Sequence, residues 1–335
     1  MERRVCMVEA LYPLMFYLLI SSAEEIQSTY FVLDERIDPN ICNRLPNVCN
    51  EKRGALYKHR YCLLLYGKLL QYTKYSFLRK SNVFGLDFKW YLLQGLRINY
   101  IEDCPNVFNL WETSPMYGNY IKNLQRPKWK QKIEKLIFGS FYRHPVATSD
   151  GIKAIYTTAA CQKSYLEGKK QFVFDLKNEW EESSDEKKKL ILSIFDISDN
   201  DLEELKTKKV MLLTQAFYDD KMVTVEEQIE IYRKILDNYN HDDVIIKAHP
   251  RDRLDYRKCF PDVMYFDKVV PLQFLSIIGV KFSHVATVSS SSALSFGDDV
   301  QIDWYGGGVH PGILKAEGIR TLEKALREYK EQHKC

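Results

Sequence analysis

An α/β protein of two domains is what this sequence predicts, and three observations lead there. At 335 residues the chain exceeds what one hydrophobic core usually serves. Short apolar runs of strand length alternate with segments of helical period, the order that builds parallel sheets. Two of those runs, Val244-Ile-Ile-Lys-Ala-His249 and His284-Val-Ala-Thr-Val-Ser289, stop abruptly at polar residues suited to a phosphate. In an open parallel sheet ligands bind at the strand C-termini, so the stretch from Val244 to Phe296 is where a phosphorylated ligand is expected.

The first half opens with a strand over Arg4–Glu9, a helix over Leu14–Ser22 and a strand over Thr29–Leu33, a βαβ unit that fixes a parallel start. A helix is expected over Ala55–Leu78 and strands over Asn82–Leu86 and Arg97–Glu102, the last delivering Glu102 and Asp103 to a strand end. Arg126 to Lys135 carries five positive charges against one negative. Two readings apply to it: a solvated helix face, or a surface that meets anionic lipid headgroups or a diphosphate-linked acceptor. Asn178 to Lys209, dense in charge around Leu190–Ile194, is where the domains should join, giving one domain over 1–205 and a second over 206–335.

In the second half a strand over Lys209–Thr214 leads into the loop Gln215–Lys221. Thr224 and Glu227 form a capping box, and Val225, Ile229, Tyr232 and Leu236 make an apolar helical stripe. Val244–Ala248, Val263–Phe266, Phe282–Val288 and Val300–Asp303 read as strands, Pro271–Ile278 as a helix and Ser291–Phe296 as the start of another. Leu322, Ala325, Leu326 and Tyr329 share one face of a final helix.

Composition narrows the function classes. With 45% hydrophobic and 28% charged residues the chain is an ordinary globular protein, and a net charge of +3 is too small to argue for nucleic acid. The eight cysteines show no CxxC pair and no zinc-site spacing, as expected for reduced thiols in the cytoplasm. Ala10–Ile20, the most apolar stretch, falls short of the roughly 20 residues of a membrane-spanning helix. The expectation is a cytoplasmic protein, with peripheral contact at the inner face of the membrane if the basic segment meets lipid.

Ser289, Ser290, Ser291 and Ser292 offer hydroxyls at a helix start, where unpaired N–H groups favour a phosphate; capping the helix is the other use of such serines. His249, followed by Pro250 and flanked by Lys247 and Arg251, stands at a strand end, where an imidazolium can donate to a departing phosphate. A hydroxyl nucleophile also needs a base, and the candidate pairs are Asp219-Asp220 and Glu102-Asp103. The dipeptide His310-Pro311, after Gly306-Gly307-Gly308, reads as a turn.

The motifs Thr-Gln-x-x-Tyr-Asp-Asp (214–220), Lys-Ala-His-Pro-Arg-Asp (247–252), Pro-Leu-x-Phe-Leu (271–275) and four successive serines (289–292) together resemble bacterial sialyltransferases of glycosyltransferase family 52. The likeness is strongest over Val210–Phe296 and thinner toward the N-terminus, where Leu11–Met15 looks like the family's opening segment. The resemblance implies a GT-B fold, two Rossmann-like domains facing a cleft, with 1–205 on the acceptor side and 206–335 holding the nucleotide-sugar donor, and an inverting mechanism with no metal and no cofactor. It makes His249 the group acting on the donor phosphate, Ser290–Ser292 its phosphate-binding serines and Asp220 the base, with Asp219, Glu102 and Asp103 as alternatives. Lys247 and Ser289 join the phosphate set, and Pro250 and Gln273 the nucleotide set. Cys104 stands where the wider group has glycine, and Gln273 where an acid is expected on the ribose.

The function this implies is transfer of sialic acid from CMP-sialic acid to a galactose-type hydroxyl of a capsule or lipooligosaccharide glycan, lipid-linked or free. A homodimer is compatible with the relatives. The rivals are a similar enzyme using another nucleotide sugar, such as a glucosyl donor, and a non-catalytic nucleotide-sugar-binding subunit.

Overall fold

The structure, a computed structural model, describes residues 3–51, 59–249, 251–296 and 299–332. The chain divides into two compact units, Met1–Phe195 and Asp196–Glu331, so the division falls ahead of position 205 and inside the charged stretch 178–209. That stretch forms the helices Leu176–Glu181, Asp185–Ile194 and Asp199–Thr207. The middle one belongs to the first unit, where Lys187 Nζ donates to the Leu19 carbonyl (2.6 Å).

The first unit is built on a seven-stranded sheet: β1 (Arg3–Val8), β2 (Tyr30–Asp34), β3 (Asn47–Glu51), β4 (Ser81–Gly85), β5 (Ile98–Ile101), β6 (Ile152–Thr157) and β7 (Lys170–Val173). All neighbours are parallel, in the order β3-β2-β1-β4-β5-β6-β7. Val5, Met7, Val32, Val83, Ile98 and Ile155 are buried on it, each such side chain contributing about 1.5–3 kcal/mol. The second unit holds a five-stranded parallel sheet: β8 (Val210–Leu213), β9 (Val244–Lys247), β10 (Met264–Tyr265), β11 (His284–Thr287) and β12 (Gln301–Trp304), in the order β10-β9-β8-β11-β12. Val210, Leu212, Val244, Ile246 and Ala286 form its core with Tyr232.

Both sheets reverse direction of growth beside their first strand, the Rossmann arrangement, which puts a switch point between β1 and β4 and another between β8 and β11. The strand C-termini at those two places are where binding residues are sought.

Several elements differ from expectation. The helix expected over 55–78 runs from Arg60 to Tyr72, after which the chain turns at Thr73 into a 3₁₀ segment, Ser76–Lys80; residues 52–58 lie outside the described residues. Ser291–Phe296 is a 3₁₀ helix, not the start of an α-helix, since serines favour local backbone bonding over helix propagation. The helix Val225–Leu236 has the expected capping box, but its buried face is Gln228, Ile231, Tyr232, Ile235 and Leu236, rotated so that a glutamine points inward.

Gly85 ends β4 at the first switch point with φ +148°, and a Cβ there would sit 1.9 Å from the Met7 carbonyl oxygen on β1. Backbone cannot yield as a side-chain tip does. Gly85→Ala is expected to cost about 2–4 kcal/mol, read as a lower denaturation midpoint at unchanged slope.

Candidate functional site

In the second unit the site is built on the ends of β8, β9 and β11. Parallel pairing of Leu213 with Lys247 and with Thr287 brings all three ends to one edge. His249 follows β9 and Ser289 follows β11, separated at backbone level by two strand spacings, about 10 Å, which a phosphate and its sugar can span.

The turn that presents His249 is fixed by Asp252. The Asp252 N–H donates to the His249 carbonyl (2.9 Å), and its carboxylate accepts from Thr214 Oγ1 (2.8 Å), Tyr256 OH (2.7 Å) and Gln228 Nε2 (3.3 Å). Thr214 Oγ1 in turn accepts from the His249 N–H (3.3 Å). This explains the inward Gln228, which also donates to Tyr256 OH and accepts from the Tyr218 N–H. The sequence motif contained Asp252 and Thr214, yet their anchoring roles appear only once the strands are paired.

His249 Nδ1 accepts from the Arg251 N–H (3.1 Å), so the ring proton of the neutral imidazole lies on Nε2. Burial, then the Arg251 charge, holds its pKa below the usual histidine value. The ring is therefore a neutral Nε2–H donor at neutral pH rather than an imidazolium. Pro250 lies outside the described residues.

The four serines have different fates. Ser289 is buried and committed: its N–H donates to Gln215 Oε1 (2.8 Å), its hydroxyl accepts from Gln215 Nε2 (2.9 Å) and donates to Glu317 (2.6 Å). It pins the β8 loop to the β11 loop across the switch point. The Ser290 N–H is bonded to Thr287 Oγ1, and among the described residues the hydroxyls of Ser290, Ser291 and Ser292 have no protein partner. Those three are free for an anion. Lys247 Nζ donates to the Lys268 carbonyl (2.6 Å), and burial lowers its pKa to about 8, so the ammonium is turned toward the β10 edge. Gln273 lies half-buried in the helix Leu272–Ile277, with no protein partner among the described residues.

Asp219 and Asp220 are both paired. Arg251 grips Asp220 with two hydrogen bonds (2.7 and 3.1 Å), while Asp219 accepts from the Arg253 N–H (3.2 Å) and faces its guanidinium at 3.6 Å. The acids thereby tie the β8 loop to the β9 loop.

The other acidic pair sits in the first unit after β5, and its members diverge. Glu102 is buried and accepts four hydrogen bonds, from Tyr12 OH (2.6 Å), Thr157 Oγ1 (2.7 Å), Thr158 N (2.9 Å) and Thr158 Oγ1 (2.8 Å). It is a brace between strand ends with little accepting capacity left. Asp103 is only partly buried; desolvation and the nearby Glu9 charge push its pKa up to about 6, against the lowering effect of Arg36. Asp87, just beyond β4, is pushed up to about 7 by burial although the backbone N–H groups of Ala147 and Val146 donate to it. Cys104 is raised to about 12 by burial and its acidic neighbours, an inert thiol. Among the described residues no group of three His, Cys, Asp or Glu is disposed to hold a metal ion, and no helix is long and apolar enough to cross a membrane.

Comparison with known proteins decides among the fold families that share such sheets. Residues 148–311 match the model of glycosyltransferase family 52. That match takes in β6 and β7 and runs through the β8, β9 and β11 ends, so the family 52 resemblance read from the motifs is the one found. An uncharacterized protein of Haemophilus influenzae Rd is 29% identical over 318 residues, covering 91% of this chain and 94% of that one. A Photobacterium sp. JT-ISH-224 2,6-sialyltransferase, solved with the donor product CMP and the acceptor lactose, aligns with a TM-score of 0.59 at 13% identity over 98% of this chain and 76% of its own. The GT-B domain of a Photobacterium damselae sialyltransferase aligns with a TM-score of 0.52 at 13% identity over 89% of both chains. At that identity the likeness establishes the GT-B fold, as expected, and the family match over 148–311 supports a glycosyltransferase.

Proposed function

We propose that this chain is a family 52 enzyme, an inverting sialyltransferase that moves sialic acid from CMP-sialic acid to a galactose-type hydroxyl of a bacterial surface glycan of the capsule or lipooligosaccharide class. The observation that carries the reading is His249: a neutral Nε2–H donor at one strand end, with three unpartnered serine hydroxyls across the β8 end from it, suits a single departing phosphate. The acceptor oxygen attacks the anomeric carbon of the donor as the bond from that carbon to the CMP oxygen breaks. The acceptor proton passes to a carboxylate, and the Nε2–H and the hydroxyls hold the negative charge gathering on CMP. One displacement inverts the centre, and protein donors supply all the charge stabilisation, so we read the transfer as metal-independent.

Of the candidate bases we assign Asp103. Asp220 has both oxygens engaged by Arg251, and Glu102 is saturated by four donors, whereas Asp103 is raised toward neutrality and no protein donor occupies it among the described residues. We place the reaction at the cytoplasmic side, where CMP-activated sugars are handled, and read the Arg251–Asp220 pair as a latch of the donor loop.

Gln273 in place of an acid favours testing the donor directly. Purified protein without added metal should release CMP from CMP-sialic acid and turn over no UDP-sugar. Turnover of a UDP-sugar instead would keep the phosphate site and replace the donor.

A further inference from the structure

The basic segment singled out in the sequence folds as the helix Lys128–Phe138, and it is docked the wrong way round for a soluble protein. The residues it turns inward are Gln131, Glu134 and Phe138, a mostly polar stripe spaced by three and four. Gln131 donates to the carbonyls of Leu124 (3.1 Å) and Arg126 (2.8 Å), and Glu134 accepts from Arg126 (2.7 and 2.9 Å). Its apolar stripe faces outward: Trp129, Ile133 and Leu136 are 61%, 48% and 86% exposed. An amphipathic helix normally buries that side.

A second stripe adjoins it. The helix Arg60–Tyr72 buries Leu63, Leu64 and Leu70, yet leaves Tyr61, Leu65, Leu69 and Tyr72 exposed at spacings of four, four and three. The Tyr61 ring packs on Phe138 at 5.4 Å, so the two helices meet there. Lys128 and Lys132 flank the outward stripe one position before Trp129 and Ile133, and Lys130 lies over the Trp129 ring at 5.4 Å. Against the helix Arg60–Tyr72 a cavity of about 540 Å³ is lined by Arg60, Lys122, Arg126, Arg143, Tyr142 and Trp90 among others. Glu134 balances part of that charge, bonding Arg126 and lying 3.5 Å from Arg143.

We propose that this face is an interfacial anchor: the stripe Trp129–Ile133–Leu136 lies in the surface of an anionic bilayer, the lysines meet its headgroups, and the cationic cavity seats a lipid phosphate. Apolar residues rimmed by lysine with an aromatic at the boundary are the composition of helices that lie in a membrane surface. A second copy is the competing occupant. A two-fold contact through this helix would set its lysines against their own copies, which like-charge repulsion disfavours. The proposal stands apart from the donor chemistry.

Vesicle co-sedimentation of the full chain tests it. The protein is expected to bind phosphatidylglycerol-containing vesicles at least tenfold more tightly than pure phosphatidylcholine vesicles. Substituting Lys128, Lys130 and Lys132 together with Gln should weaken binding on the order of a hundredfold, at about 1 kcal/mol per charge. Leu136→Asp, at a position with almost no burial to lose, should abolish binding while leaving lipid-free donor hydrolysis unchanged. Lys122→Gln should reduce the preference for anionic vesicles several-fold. Equal binding to neutral vesicles, or unchanged binding by Leu136→Asp, overturns the proposal. A dimer that Leu136→Asp dissociates, with no vesicle binding, would give the face to a second copy.

Discussion

His249→Ala is expected to lower the rate of CMP release from CMP-sialic acid by about 10²–10³-fold in kcat, with KM little changed. That is the magnitude seen when one preorganised donor to a developing anion is removed. The substitution should leave the fold intact because the bonds holding the turn, His249 N–H to Thr214 Oγ1 and Asp252 N–H to the His249 carbonyl, are made by backbone atoms. Only the exposed Arg251 N–H loses its acceptor, Nδ1, and water replaces it. Asn at this position can accept from that N–H through its side-chain oxygen, as in an Asx turn, and still offer an amide donor. His249→Asn should therefore retain more turnover than the alanine variant. The lowered histidine pKa sets the pH signature: the neutral ring is the resting form across pH 7–8, so activity there should not decline as pH rises. A decline through the histidine range, carried by His249, would mean that the imidazolium is the working form. Full turnover by His249→Ala would remove the residue from the mechanism.

How much of this was legible in the sequence depended on burial. The strands β8, β9 and β11 are covered on both faces, so they appear as uninterrupted apolar runs such as Val-Ile-Ile. In the first unit β3 reads Asn-Val-Cys-Asn-Glu and β7 Lys-Gln-Phe-Val, edge strands whose polar residues erase the pattern, and neither was expected. The serines looked equivalent because nothing local distinguishes Ser289. Its partner Glu317 is 28 positions away, and Gln215 lies on another strand's end. The pairing of Asp219 and Asp220 with Arg253 and Arg251 likewise depends on two loops that only the β8–β9 pairing brings side by side. The outward stripe of the helix Lys128–Phe138 was hidden for the opposite reason: its lysines dominate the sequence, and which side of the helix is docked is decided by Arg126 and Arg143 outside it.

The acids show the same limit and carry the second large prediction. Adjacent residues beyond a strand end need not share surroundings: Glu102 is held by the Tyr12, Thr157 and Thr158 donors, while Asp103 is without such donors among the described residues and feels the charges of Glu9 and Arg36. Asp103→Asn is expected to lower kcat/KM for transfer by about 10²–10⁴-fold, the usual worth of a general base. The pH profile separates this from a structural effect. An acid raised to about 6 is protonated and inactive below that pH and becomes the base above it, so the wild-type profile should climb through pH 6 and level off, and the asparagine variant should lose that limb. Asp220→Asn removes a partly exposed ion pair with Arg251, worth about 1 kcal/mol or less, and should keep both the limb and most of the rate. Glu102→Gln should act through stability instead, since an amide has only one oxygen for donors that two now satisfy. If Asp220→Asn abolished transfer while Asp103→Asn kept the wild-type limb, the proton would have to leave through the β8 loop, and Arg251 would then have to release Asp220 before each turnover.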